Sequence, residues 1–196
     1  MPDTPMSTPR DPIRFQFNER KATAAASLLL ELAGGTMEYL PLIKLLYYAD
    51  RESLDTLGRP ISGDRYYSLP HGPVLSRVYD LVKAVVFGTA QAGPWTEHIE
   101  GAGRYGLRLR KRPDMGALSE AEVNIITQAF RQYRDRDKWD LRDATHLLPE
   151  WNDPSGSARE IPVEMILDVL GKSETEIEDI RQHALETAHF DRVFGA

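Results

Sequence analysis

The chain has 196 residues, of which 41% are hydrophobic and 28% charged, with a net charge of −6 and no cysteine. That length and apolar content fit one soluble domain with a sizeable core, and the missing cysteines exclude disulfides, thiol catalysis and Cys-type zinc sites. Residues 61–112 carry eight Lys or Arg against four Asp or Glu, and residues 113–196 nine against eighteen, a balance that argues against a large phosphate-neutralising surface.

The opening MPDTPMSTPRDP lacks an apolar signal region, and no apolar run approaches the roughly 18 residues of a membrane span. The cytoplasm is the expected compartment, with no membrane partner. Residues 1–14 hold four prolines and almost no apolar anchor, so a disordered tail is expected there. A helix should begin near Asn18, run through KATAAASLLLELA and end at Gly34-Gly35. The next should open near Thr36, accept Pro41 in its first turn and continue to Gly58. At 100° per residue, Leu42, Ile43, Leu45, Leu46, Tyr47, Leu54 and Leu57 share one arc of this helix, with Lys44, Arg51 and Asp55 outside it. Asp50 falls inside that arc, the first anomaly in the sequence.

GRPISGDRYYSLPHGP at residues 58–73 then breaks the helical pattern. A short strand is expected at 65–69, and Pro73 suits the start of a helix carrying Val74, Val78, Leu81, Val82 and Val85 on one face, closed by Gly88. Between Trp95 and Arg110 the period falls to two, which predicts a hairpin turning Tyr105, Leu107 and Leu109 inward and Arg104, Arg108 and Arg110 outward. Ser119 with Glu122 forms a capping box before a stripe of Val123, Ile126, Phe130 and Tyr133. WDLRDATHLLPEW gives a short helix stopped by Pro149, and Ile161-Pro162 opens another that ends at Gly171. Ser173 and Glu176 repeat the capping box ahead of the last helix. The expected fold is mainly α (α+β): a single domain of about six to seven helices with a small antiparallel β-sheet, made of hairpin 95–110 and strand 65–69. Residues 18–155 form its body, and residues 156–196 a helical extension packed on it.

Catalytic and metal chemistry finds little support. The histidines at 71, 98, 146, 183 and 189 show neither HExxH nor an i, i+4 pair. GAGRYG opens a strand and lacks the lysine of a phosphate loop. Ser68, His71 and Asp50 make a triad only on paper, with no GxSxG elbow. No catalytic residue, metal or cofactor is therefore expected. A carboxylate on an apolar face must be paired or hydrogen-bonded, and Arg65, Tyr66, His71 and turn N–H groups lie close in sequence. Asp50 is expected to pin the 58–73 loop onto its helix. A winged helix-turn-helix with residues 95–110 as wing would need an exposed reading helix, but the second helix mixes Lys44 and Arg51 with Glu38, Glu52 and Asp55 and offers no base-reading series. Nucleic acid is not the expected partner.

The stretch KLLYYADRESLDTLGRPISGDRYYSLPHGPVLSRVYDLV resembles the signature of the Panacea domain: Tyr48 to Asp50, Gly58 to Asp64, Tyr66, His71 to Val74, and Val78 to Asp80. Thr145, His146 and Trp151 in THLLPEW resemble that family's second, shorter motif. On this resemblance Asp50, Gly58, Pro60, Gly63, Asp64, His71, Gly72, Pro73 and His146 are structural motif residues. The resemblance is strongest to SocA-type proteins. It implies an antitoxin that binds a cognate toxin and acts as a proteolytic adaptor, delivering a replication-blocking toxin to ClpXP through ClpX. The alternatives are an antitoxin that only caps its toxin and a DNA-binding autorepressor. Cargo surfaces favour aromatic and Arg anchors, which here are Tyr66, Tyr67, Trp95, Tyr105, Arg108 and Trp151, each with an ordinary core role as its rival. The protease tether is expected in the Pro-rich N-terminus or in the C-terminal HFDRVFGA, which carries Phe190 and Phe194.

Overall fold

Asn18 ends an extended approach and caps the first helix, its side-chain oxygen accepting the Lys21 N–H at 3.0 Å. The computed structural model describes residues 11–194. Helix α1 (Glu19–Leu32) is buried without interruption from Ala22 to Leu30. Such a run is tolerated because alanines at 22, 24, 25 and 26 let neighbouring helices approach closely. The Gly35 N–H closes the helix by donating to the Leu30 carbonyl at 2.8 Å.

Residues 36–38 then form strand β1 (Thr36–Glu38), and helix α2 (Tyr39–Leu57) starts three residues later than the pattern suggested. The cause is non-local: Met37 pairs with Leu107 in strand β5 (Gly106–Leu109). Pro41 remains in the first turn of α2, where no intrahelical N–H is missed, and Gly58 terminates the helix with φ 65°.

Two more expected elements change identity. Pro73 does not open a helix, because Gly72–Leu75 is strand β3, pairing antiparallel with β2 (Tyr66–Leu69). Helix α3 (Ser76–Val86) follows it. The first part of the expected hairpin is a one-turn helix, α4 (Pro94–His98), and only Ile99–Ala102 continues as β4 against β5. Proline at the first helical position favours that turn, and the Thr96 hydroxyl accepts the Gly93 N–H at 3.0 Å. The remaining elements are a 3₁₀ turn (Met115–Ala117), α5 (Glu120–Tyr133), α6 (Lys138–His146), β6 (Arg159–Ile161), α7 (Val163–Val169) and α8 (Glu174–Phe194).

The expectation of one small sheet is corrected. The strands form two three-stranded antiparallel sheets, ordered β1-β5-β4 and β3-β2-β6, so hairpin and strand 66–69 belong to different sheets. Eight α-helices are present among the described residues, against six to seven expected, and the fold is mainly α with some β. The C-terminal extension completes the second sheet: Ile161 pairs with Tyr66, and Val163, Ile166 and Leu167 are buried. Helix α8 buries Ile177 and Ala184 in its first half, while Leu185, Phe190 and Val193 are each more than half exposed.

Of the tail expected to be disordered, residues 1–10 lie outside the described residues, but residues 11–14 depart from that expectation. Ile13 is buried at 2% exposure and its N–H donates to Glu164 at 2.7 Å. The Asn18 N–H donates to the Ser62 carbonyl at 2.9 Å, so the stretch before α1 lies against the 58–65 loop. Gly63 permits this contact. Its φ is +67°, and a Cβ built there would stand 2.0 Å from the Gln16 carbonyl oxygen. Gly63→Ala is therefore expected to destabilise the protein by about 2 kcal/mol or more in urea unfolding, and to raise amide exchange at Asn18 before the rest of α1.

Candidate functional site

Asp50 sits in the middle of α2 at 2% exposure. Its Oδ1 accepts the N–H groups of Ile61 and Ser62, both at 3.1 Å, and its Oδ2 accepts the Ser62 hydroxyl at 2.5 Å. Two adjacent turns of α2 thus hold the loop that follows it, Asp50 being aided by the Ser53 hydroxyl on the Arg59 carbonyl at 2.7 Å. The pinning role expected of Asp50 is present, and of the donors expected it is the turn N–H groups, those of Ile61 and Ser62, that supply it, with the Ser62 hydroxyl, and not Arg65 or His71. Arg65 and His71 are exposed. Burial pushes the Asp50 carboxyl up to about 7, with the bonds from Ser62 and Ile61 opposing that shift and nearby Asp64 adding to it.

Asp64 does similar work for the next helix. Leu75, at the N-cap position of α3, makes no side-chain cap, and Asp64 substitutes from eleven residues upstream. Its carboxylate accepts the N–H groups of Arg77 at 3.1 Å and Val78 at 2.9 Å, as well as that of Arg65 at 2.7 Å. These are the orphan donors of a helix start. The two aspartates of the signature therefore fix both ends of the same loop.

The hairpin tip is fixed from the other side. Lys44 has 0% exposure, and its ammonium donates to the Pro73 carbonyl at 2.8 Å. The sequence placed Lys44 outside the apolar arc of α2. The structure corrects this, because β3 and α6 cover that side of the helix. Burial lowers the Lys44 ammonium to about 7, with the Arg142 guanidinium adding to the effect. Gly72 has φ +91°, and a Cβ there would meet the Thr145 hydroxyl at 2.4 Å and the Lys44 Nζ at 2.8 Å. The glycine of the first motif is thus wedged against the threonine of the second.

The rest of the second motif closes over the strand pair. The His146 ring stacks on Trp151 with centroids 4.0 Å apart and a 10° interplanar angle. The Trp151 indole N–H donates to the Leu69 carbonyl at 3.1 Å. Glu150, buried at 1% exposure, accepts Arg51 Nε at 2.7 Å and the Tyr47 hydroxyl at 3.1 Å, tying the motif back to α2. Glu122, also buried, accepts Lys21 and Arg59, each at 2.6 Å, and the Ser119 N–H at 2.8 Å. Burial acts to raise its carboxyl, and the bonds from Lys21, Ser119 and Arg59 outweigh that and hold it below the usual range.

Beside the hairpin tip opens a concavity of about 360 Å³, walled by the first turns of α2, the 69–72 turn, Tyr79 and residues 156–158. Among the residues expected to contact a partner, Tyr66 and Trp95 are corrected: both are buried, at 0% and 1% exposure. Trp151 is half-buried and holds the hairpin, and Tyr67 is half-buried on β2. Tyr105 and Arg108 are exposed on the β4–β5 hairpin, where Arg108 pairs with Glu100 at 2.6 Å. Helix α2, the candidate reading helix of a DNA-binding motif, is buried from Leu42 to Tyr47, so only its second half keeps an exposed face.

The sequence reading missed Lys44, Glu122 and Glu150 as core groups. One signal for Lys44 was present: in LIKLLYYAD only Lys44 and Asp50 are charged, a run too apolar for a helix with a wet face. Nothing local marked Glu150, whose partners lie 99 and 103 residues away.

A family model described as antitoxin SocA-like, Panacea domain, matches residues 42–152. That range contains both motifs and every contact between them described above. No curated protein matches the chain, and no solved structure does.

Asp50→Ala leaves two buried N–H groups and a hydroxyl without their acceptor and should cost about 2–4 kcal/mol, read as a lower melting temperature. The two shifted groups also give stability a pH dependence of opposite signs. The Asp50 carboxyl is raised from 3.8 to about 7, so its contribution is full below pH 3.8 and is lost as pH rises toward 7. The Lys44 amine is lowered from 10.5 to about 7, so its contribution is full above pH 10.5 and is lost as pH falls toward 7. Unfolding free energies at about pH 5, 7 and 9 should show Asp50→Asn flattening the acid limb alone and Lys44→Met the alkaline limb alone.

Proposed function

The chain belongs to the SocA-like Panacea-domain antitoxin family, and from that premise we propose that it is a cytoplasmic proteolytic adaptor. It binds a cognate toxin and delivers it to the ClpXP protease, and it acts as a binding protein rather than as an enzyme. The observation that carries this reading is the family match across residues 42–152, which spans the two motifs that α2 holds together. The side chains most suggestive of chemistry support it too. Asp50 is occupied by the loop it holds, and His146 lies flat against Trp151.

An adaptor needs one surface for cargo and another for the protease. The domain body offers exposed aromatic and Arg side chains for the first. The distal half of α8 suits the second, since Leu185, Phe190 and Val193 are exposed at 54%, 58% and 56% beyond the last fully buried residue, Ala184. A toxin of the SocA-associated kind, which blocks replication at the sliding clamp, is the proposed cargo.

A reconstituted assay tests this directly. The toxin should disappear only when this protein, ATP and ClpXP are present together. Loss of toxin activity without loss of toxin protein would establish capping instead. Removing residues 189–196 is expected to slow degradation about tenfold, equivalent to 1.4 kcal/mol, while leaving toxin binding unchanged. Removing residues 1–14 should by contrast lower stability, because Ile13 is part of the core.

A further inference from the structure

We propose that the concavity beside the hairpin tip is the anchor point for the toxin: it takes one large apolar side chain of that protein, flanked by a carboxylate that faces His71. This rests on the reading of the chain as a toxin-binding protein, and it specifies where and how the toxin is held.

The walls come from separate parts of the chain, with Tyr39 and Leu40 from α2, Leu69 and His71 from the β2–β3 turn, Tyr79 from α3, and Ala158 from the extension. A space of about 360 Å³ accommodates a single bulky side chain, and aromatic anchors seated in such pockets dominate protein interfaces. The charge of the lining selects what accompanies the anchor. Apart from two tyrosines, its only ionisable side chains are Lys44 and His71, with no carboxylate among them. Lys44 is fully buried beneath the floor and bonded to Pro73, so it offers no contact at the surface. His71 is exposed at the mouth and is the group available for contact. The carboxylates next in sequence to Tyr39 and Tyr79 already have cations: Glu38 pairs with Lys138 at 2.6 Å and Asp80 with Lys83 at 2.9 Å. The pocket therefore complements an acidic group better than a basic one.

The surface continues past the pocket in the same character. The Tyr39 ring meets Tyr105 at 6.1 Å between centroids. Beyond Lys138 lies Trp139, 47% exposed, with the Lys138 and Arg142 cations over its ring. Exposed aromatic side chains beside Arg and Lys form the rim expected of an interface centred on the pocket.

Calorimetric titration with the purified product of the adjoining reading frame tests the inference. Ala158→Trp fills the mouth and His71→Glu places a carboxylate there, both at exposed positions. Each should weaken binding at least about tenfold, with the His71→Glu effect shrinking at high salt. Phe87→Glu, at the exposed end of α3, should bind as the unaltered protein does. Hydrogen exchange on the unaltered complex should show new protection at residues 69–72 and 156–158, a readout that needs no variant. If the partner binds while both pocket variants keep full affinity, or if protection falls elsewhere, the pocket assignment is overturned and the toxin-binding reading stands. If the partner does not bind the unaltered protein, both fall. If a free small carboxylate such as N-acetylphenylalanine occupies the pocket and the partner still binds, the pocket is a small-molecule site and the proposal is wrong.

Discussion

A carboxylate in the middle of the central helix, removed from water, is the constraint on which the rest of this fold depends. Asp50 can remain on the apolar side of α2 only because two backbone N–H groups and one hydroxyl from residues 61 and 62 converge on it. Satisfying that carboxylate forces the chain to turn back immediately after Gly58. That turn carries Gly63 against Gln16, and Asp64 to the start of α3. Without the first set of bonds, neither the N-terminal segment nor α3 would have its docking point. A hydrophobic residue at position 50 would pack α2 equally well, but it would not specify where the loop lies. The polar group in this core thus contributes position more than net stability, in keeping with the modest net value of buried hydrogen bonds.

The same arrangement recurs around α2. Lys44 holds the hairpin tip by the Pro73 carbonyl, Glu150 gathers Arg51 and Tyr47, and Glu122 gathers Lys21 and Arg59. Each is a buried charged group whose partners come from distant parts of the chain. Apolar contacts alone tolerate sliding and repacking, whereas each of these groups admits only one arrangement of its neighbours. Two of the pins belong to the signature helix and two come from elsewhere, and of the four it is Glu150 that joins the second motif to the first. Gly72 is one point where the motifs touch, since any side chain there would displace Thr145 or Lys44.

The sequence was most legible where structure is local. The Asn18 cap, the Ser119–Glu122 box and the Gly58 stop depend on residues within one or two turns, and each stands where its pattern put it. The elements that escaped notice are strands of three or four residues whose partners are remote. Thr36–Glu38 pairs with residues 106–108, and Arg159–Ile161 with residues 66–68, so no local period betrays either. Gly72–Leu75 was hidden differently, since a proline suited to a helix start also suits an edge strand. Tyr66 illustrates the matching difficulty for sites. Its aromatic, turn-adjacent position resembles an interface anchor, but strands on either side bury it completely. The anomalous Asp50 was visible from the helical wheel, whereas its partners were not, because hydrogen-bond geometry depends on a loop path that composition does not encode.

The extension beyond the family match changes what that matched region can present. Strand β6 adds an edge to the sheet that bears the signature tyrosine, and residues 156–158 just before it supply one wall of the concavity at the hairpin tip. The pocket is therefore a joint product: its floor is made by signature residues that α2 fixes, and one side by a segment outside residues 42–152. A rigid floor with a separately encoded wall is a physical route by which a shared domain can differ in what it holds. The pins described above cannot vary without loosening the core. The exposed residues 157 and 158, by contrast, carry no buried side chain and tolerate substitution at small cost, while Gly156, with φ +86°, fixes their turn. On this geometry, the part of the concavity that the core does not constrain lies in that segment, while the signature provides the frame against which it stands.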